Sequence, residues 1–303
     1  TAPMPASFLS SLGVAVLLLF ALSVAYPDSA GLEDVVTPAM LEAEADARLD
    51  WSVFGTHDQN STIAVDASAY TGIIEQFGDH GPLAAIDFLH LSKRGLGALA
   101  AYVAALQKVP VSTLNRNEQL AYWLNLHNAQ GILQTAHEYP LQDDNSKVVI
   151  LGPAWTEPSL TVEGHTLSLR DIERRILLRQ WPDPLVLYGM YLPASGAPPA
   201  ATEPFRAADV WRRLEERARQ FVNHGPSHQF IRDELHVSAF YFLADALLGE
   251  DAAMLAHLRR YAEPDLATRL SGFTSIKANW LNWRLNSFNG GYDVNQDRAG
   301  GGS

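Results

Sequence analysis

Asn125 and Asn128 stand three residues apart in the stretch NEQLAYWLNLHNA (117–129), a spacing that puts both carboxamides on one face of a helix. Two carboxamides side by side orient a ligand by offering donors and acceptors together, and Trp123 offers a ring to stack on it. The plainer expectation weighs more: the asparagines bond neighbouring loops and Trp123 packs in the core. His224 and His228 bracket Gly-Pro-Ser and are metal-ligand types. They lack a carboxylate nearby and the i,i+4 spacing on a helix, so a solvated loop is expected. Asp171 and Glu173, two apart, point to different helix faces, which suits a cap and a surface pair rather than paired acid–base work. The run RRLEERAR (212–219) reads as a solvated helix face. Trp280, Trp283 and Phe288 read as core or interface anchors. The chain has no cysteine, which removes disulfides, thiolate metal sites and cysteine nucleophiles. No catalytic residue, metal site or cofactor is expected.

The elements that must position these residues are mostly helical. Leu99, Tyr102, Val103 and Leu106 form one apolar stripe near the end of the segment 82–109. The segment 115–140 is a second helix, with Asn115 or Asn117 as its cap and Pro140 at its end. Its Trp123, Leu124 and Leu133 are expected to pack on the first stripe and on a third helix, 167–181, which Ser168 and Asp171 open as a capping-box variant. A fourth helix, 207–225, is stopped by Gly225-Pro226, and 238–249 and 251–262 complete the set. The strand candidates are Lys147–Leu151, Ser159–Val162 with a turn at Glu163-Gly164, and Pro184–Tyr188. The fold class is α+β: a helix-rich single globular domain, preceded by one N-terminal transmembrane helix.

Composition agrees with a globular chain, at 47% hydrophobic and 18% charged residues. A net charge of −12 repels phosphate backbones and excludes nucleic acid as an expected partner. Phe8–Tyr26 is a charge-free run of 19 residues, about 28 Å as a helix and close to the ~30 Å hydrocarbon core. Ser-Val-Ala at 23–25 resembles a signal-peptide cleavage site, but no Lys or Arg precedes the run, and a retained anchor is expected. Phe8, Ser11, Ala15, Leu18 and Leu22 are its expected contacts with the bilayer or a neighbouring helix. The small-residue spacing of Ser11 with Ala15 permits close helix packing. Six acidic residues follow before the first basic one, Arg48, which favours placing the domain outside the cytoplasm. The chain divides into an anchor (1–27), an acidic connector (28–50), a globular domain (51–288) and a tail (289–303).

In this order the segments resemble the DUF547 family, a domain family of unknown function. NEQLAYWLNLHNA resembles the family's Asn-Glu-x-Leu-Ala-Phe-Trp-x-Asn-x-Tyr-Asn-Ala signature. VEGHTLSLRDIERRIL (162–177) is similar to its Gly-x-x-hydrophobic-Ser-Leu-x-Asp-Ile-Glu segment, and NWRLN (282–286) resembles its terminal Asp-Trp-Ser-Leu-Asn. The resemblance spans roughly 57–287 and implies a His, a Cys and an Asp at three further positions. Here those positions hold Leu187, Ala197 (in PASGAPPAA, 193–201) and Asn282. A thiol nucleophile, an imidazole base and an orienting carboxylate act as one unit, and none of the three residues present replaces its counterpart.

The expectation is therefore a pseudoenzyme: a non-catalytic accessory subunit, single-pass in a cell inner membrane with most of the chain periplasmic. Its expected partners are integral membrane subunits of a bioenergetic complex and the lipid bilayer, through residues 8–26. A photosynthetic reaction centre–antenna assembly is placed ahead of a respiratory complex on general plausibility and on no residue. The alternative is a membrane-anchored periplasmic hydrolase or transferase, or a ligand-binding module, of the DUF547 type.

Overall fold

Asn115 opens the helix around which the domain is assembled, its side chain accepting from the Glu118 amide. The computed structural model describes residues 49–79, 81 and 84–287, all of which belong to one compact unit. In chain order its helices are α1 (Ser68–Phe77), α2 (Phe88–Arg94), α3 (Leu96–Leu106), α4 (Arg116–Glu138), α5 (Lys147–Ile150) and α6 (Pro153–Thr156). Then comes α7, which begins at Leu169–Asp171, passes through a π-helical stretch, Ile172–Leu177, and ends as Leu178–Gln180. After it come α8 (Val210–His224), α9 (Asp245–Leu248), α10 (Asp251–Tyr261) and α11 (Pro264–Leu270). Strands β1 (Leu160–Val162) and β2 (His165–Leu167) form a hairpin, and β3 (His228–Ile231), β4 (Glu234–Ser238) and β5 (Ala278–Trp280) form a sheet in that order. The domain is thus helix-rich α+β, with two small sheets.

Every residue of α4 from Glu118 to Leu133 is buried. A helix buried on all faces is the centre of a core, and its polar side chains must all find partners inside it. Nearly all do: Gln119 donates to the carbonyls of Thr56 and Val111, Tyr122 to that of Leu106, and Gln130 to the Ser159 hydroxyl, whereas the Trp123 indole nitrogen is buried without a partner. Trp123 and Leu124 are fully buried as expected, Trp123 edge-on to Phe54 and Tyr122. Gly131 lets Trp155 lie against the helix, since a Cβ there would stand 2.7 Å from the indole. The expected α3 stripe of Leu99, Tyr102, Val103 and Leu106 is buried too.

Four expectations change. Lys147–Leu151 is a helix rather than a strand, because Asn145 accepts from the Lys147 amide and turns the chain at once. Pro184–Gly189 is a 3-10 helix rather than a strand, started the same way by Asp183 accepting from the Leu185 amide, with Pro184 in the first turn. The segment 238–249 is a 3-10 turn, Ala239–Ala244, followed by α9 instead of one helix. His228 lies on strand β3 rather than in a loop, half-buried against Ser227 and Phe230. Among the described residues no helix is long and apolar enough to cross a membrane. The expected anchor, with Phe8, Ser11, Ala15, Leu18 and Leu22, lies outside the described residues, as do the acidic connector up to Arg48, Phe288 and the tail.

Candidate functional site

Two of the three positions that the resemblance singles out, Ala197 and Asn282, lie on segments tied to one another. Gly196 donates its amide to the Asn282 carbonyl at 2.9 Å, Ser195 donates to Arg284 at 2.8 Å, and Ala194 bridges Leu285. The approach is close enough that a Cβ on Gly196 would stand 2.5 Å from the Asn282 nitrogen. Ala197 and the backbone beside Asn282 are thereby brought together, with Ala197 buried and Asn282 exposed. Leu187 sits on the 3-10 helix 184–189, fully buried.

The chain from 188 to 205 is fixed along its length by polar groups on α4 and α8. Asn128 donates to the Gly189 carbonyl and accepts from the Tyr191 amide, both at 2.9 Å. Asn125 grips the far end, donating to the Phe205 carbonyl at 2.9 Å and accepting from its amide at 2.8 Å. The carboxamides of the signature helix are therefore clamps on a neighbouring segment, which was the plainer of the two expectations. Arg217 donates to three carbonyls, those of Tyr188, Pro199 and Ala200. Arg213 donates to Glu203 and Pro204, and Ser238 donates to Gly196 at 2.7 Å. The run 212–219 is consequently only in part a solvated face. Arg212 pairs outward with Glu216 and Asp209, whereas Arg213 and Arg217 turn inward.

Beneath the clamps lies a charged group that the surface-pair expectation missed. Glu173 is fully buried, 2.9 Å from His127 Nε2 and 2.8 Å from the Arg170 guanidinium, and it accepts from the Trp155 indole at 2.7 Å. Burial pushes its carboxyl upward, but Arg170, His127 and Trp155 together outweigh this and hold it down at about 2. His127 Nδ1 faces the Asn128 amide oxygen at 3.0 Å, so this cluster orients the same asparagine that clamps Gly189. The signal was present in the sequence, because Glu173 is four residues after Leu169 and three before Ile176, on the buried stripe of α7. Asp171 does form the expected capping box with Ser168, and it also pairs with Arg175.

A second buried network abuts the 3-10 helix. The Tyr188 hydroxyl lies 2.7 Å from His257 Nε2 and 3.3 Å from the Tyr241 hydroxyl. Burial lowers His257 to about 4 and raises both tyrosines. On the surface, His224 is exposed and has a carboxylate nearby after all, Glu263 at 3.8 Å. Among the described residues no group of three or more His, Asp or Glu side chains is placed to hold a metal ion.

The segment spanning the signature helix, the Leu187 helix, the Ala197 loop and the clamping arginines is also the one that comparison picks out. Residues 111–222 match the family described as "Protein of unknown function, DUF547". The match includes Leu187 and Ala197 but stops short of Asn282, and it is narrower than the 57–287 suggested by the motifs. The matched segment carries Asn125, Asn128, Glu173 and Arg217, and so nearly the whole frame of the loop. No curated protein and no solved structure matches the chain.

Beside this frame the loop 199–203 and α8 enclose a cleft of about 180 Å³. Pro199, Ala200 and Ala84 form its apolar side, and Arg213, Arg217 and Gln220 its polar side. Glu203 and Glu216 stand at its edge.

Proposed function

We propose that this chain is a non-catalytic accessory subunit, held to a membrane through residues 8–26 and stabilising the periplasmic face of a larger membrane complex. The observation that carries the non-catalytic reading is the join of Gly196 to Asn282. It brings together two segments of a unit that needs a thiol and a carboxylate, and the side chains offered there are a methyl group and a carboxamide. The third position, Leu187, offers an aliphatic chain inside the core. The expected host is a bioenergetic complex, with a photosynthetic reaction centre–antenna assembly ahead of a respiratory one on general plausibility. The charge-free run 8–26 and its acidic flank support the anchor and the topology.

The test is deletion of the gene followed by mild detergent extraction and native electrophoresis of the membranes. The expected outcome is a host complex that assembles poorly or falls apart, with its intrinsic chemistry unimpaired. Hydrolysis of activated esters or amides by the purified full-length chain, proportional to its concentration, overturns the reading. Protease added to spheroplasts is expected to remove the domain, and protection there rejects the topology. One observation favours the second reading, a ligand-binding module: the cleft beside the clamped loop, with two arginines in its wall.

A further inference from the structure

Arg217 belongs both to the frame and to the wall of the cleft. It lines the cleft and lies mostly inside the protein, and its partners are the backbone carbonyls of Tyr188, Pro199 and Ala200. No described carboxylate lies within ion-pair distance of it, and the strongest charge acting on it is another cation, Arg213. Taking a guanidinium out of water beside a like charge is unfavourable, and burial and Arg213 together lower Arg217 to about 10. A guanidinium carries five N–H groups, and three of those of Arg217 are used on carbonyls. Arg213 is buried in the same wall, with the half-exposed Glu203 at 3.5 Å as its carboxylate neighbour.

We propose that this cleft binds a small monocarboxylate, with the Arg217 and Arg213 guanidiniums taking the carboxylate and the Pro199, Ala200 and Ala84 wall taking a short aliphatic chain. The proposal rests on the ligand-module reading of the same cleft. Guanidinium forks suit carboxylate and phosphate alike, and the rim decides between them. Glu203 and Glu216 stand at the edge, so a dianion meets two like charges that a monoanion meets at half strength. Size agrees with this, since 180 Å³ is room for about six waters, the bulk of acetate to butyrate.

Thermal unfolding of the full-length chain in detergent, titrated with acetate, propionate, butyrate and inorganic phosphate at matched ionic strength, tests the assignment. A ligand that binds only the folded state raises the midpoint saturably. The expected result is such a rise with at least one monocarboxylate and none with phosphate. Thr202→Phe, at an exposed position on the cleft wall, is expected to abolish the rise without lowering the unliganded midpoint. Glu203→Gln removes an exposed competitor for Arg213 and is expected to tighten binding ~2–5-fold. No saturable response to any of the three acids overturns the proposal, as does a response that survives Thr202→Phe or is matched by phosphate. The accessory-subunit reading is tested by gene deletion and stands or falls independently of these titrations.

Discussion

Replacing Asn128 by Ala tests whether the signature helix works by clamping its neighbour. The side chain is buried and bonds the Gly189 carbonyl and the Tyr191 amide, which are buried themselves. Alanine leaves both backbone groups without a partner and without water, at about 1–3 kcal/mol each. A total near 4 kcal/mol lowers the melting temperature of a domain of this size by about 8–16 °C. Circular dichroism on the full-length chain in detergent measures the shift, and hydrogen exchange at Tyr191 shows whether the clamped segment opens first. Asn128→Asp sharpens the test, because aspartate keeps the acceptor for Tyr191 but sets a second oxygen against the Gly189 carbonyl. A protonated carboxyl donates there and a carboxylate repels, so its deficit relative to the wild type is expected to shrink as pH falls. A midpoint for Asn128→Ala within about 2 °C of the wild type, with Tyr191 still protected, refutes the clamp; the expected shift follows from the same scaling.

Two further outcomes follow from the buried charges. Glu173→Gln strands Arg170 in the core without its carboxylate and is expected to cost about 3–5 kcal/mol, measured by chemical denaturation at neutral pH; a loss under about 1 kcal/mol contradicts the pairing. In the wild type the lowered Glu173 carboxyl gives stability that is whole above pH 4.5 and is lost as pH falls through about 2. His257 is lowered to about 4 from 6.5 by burial, with Arg260 adding and Asp183 opposing, so the unfolded chain takes up the proton first. Stability is then whole above pH 6.5 and falls by about 2 kcal/mol between pH 7 and pH 5, a slope that His257→Gln is expected to flatten.

Patterns carried by neighbours along the chain were legible. The α3 stripe, the Asn115 cap, the Ser168–Asp171 box and the Glu163-Gly164 turn are all short-range, and each is found where its residues place it. The misread strands at 147 and 184 are short-range too. An Asx side chain that accepts from the amide two residues on, Asn145 or Asp183, outweighs the β-branched residues that follow. The hairpin β3–β4 was missed because its turn is Arg232-Asp233, both with positive φ, where a glycine or asparagine normally signals the reversal. Pairing of β5 alongside β4 is parallel and crosses some 40 residues, so nothing local announces it. Arg213 and Arg217 carry the charge of a solvated face but occupy positions that turn inward. They flank the buried Leu214, Ala218 and Phe221 on α8, and their long side chains reach backbone carbonyls beneath the surface.

The arrangement of polar groups bears on what the domain is for. Burying a carboxamide or a guanidinium is unfavourable unless its bonds are made, and a made bond returns only about 1 kcal/mol net. Asn125, Asn128, Arg213, Arg217 and Ser238 are all committed in this way to one stretch of chain, 188–205. A core of apolar residues holds a segment in place at less cost, so this many buried polar bonds select for geometry over bulk stability. What they fix is a backbone path bearing small apolar side chains, with a methyl group at Ala197. Positioning of that kind serves no reaction at Ala197, but the same path forms the floor of the cleft through Pro199 and Ala200. A floor held rigid before anything arrives spares a ligand or partner the entropy of ordering it. A loop held by these bonds is what the proposed binding of a carboxylate in the cleft requires of its wall.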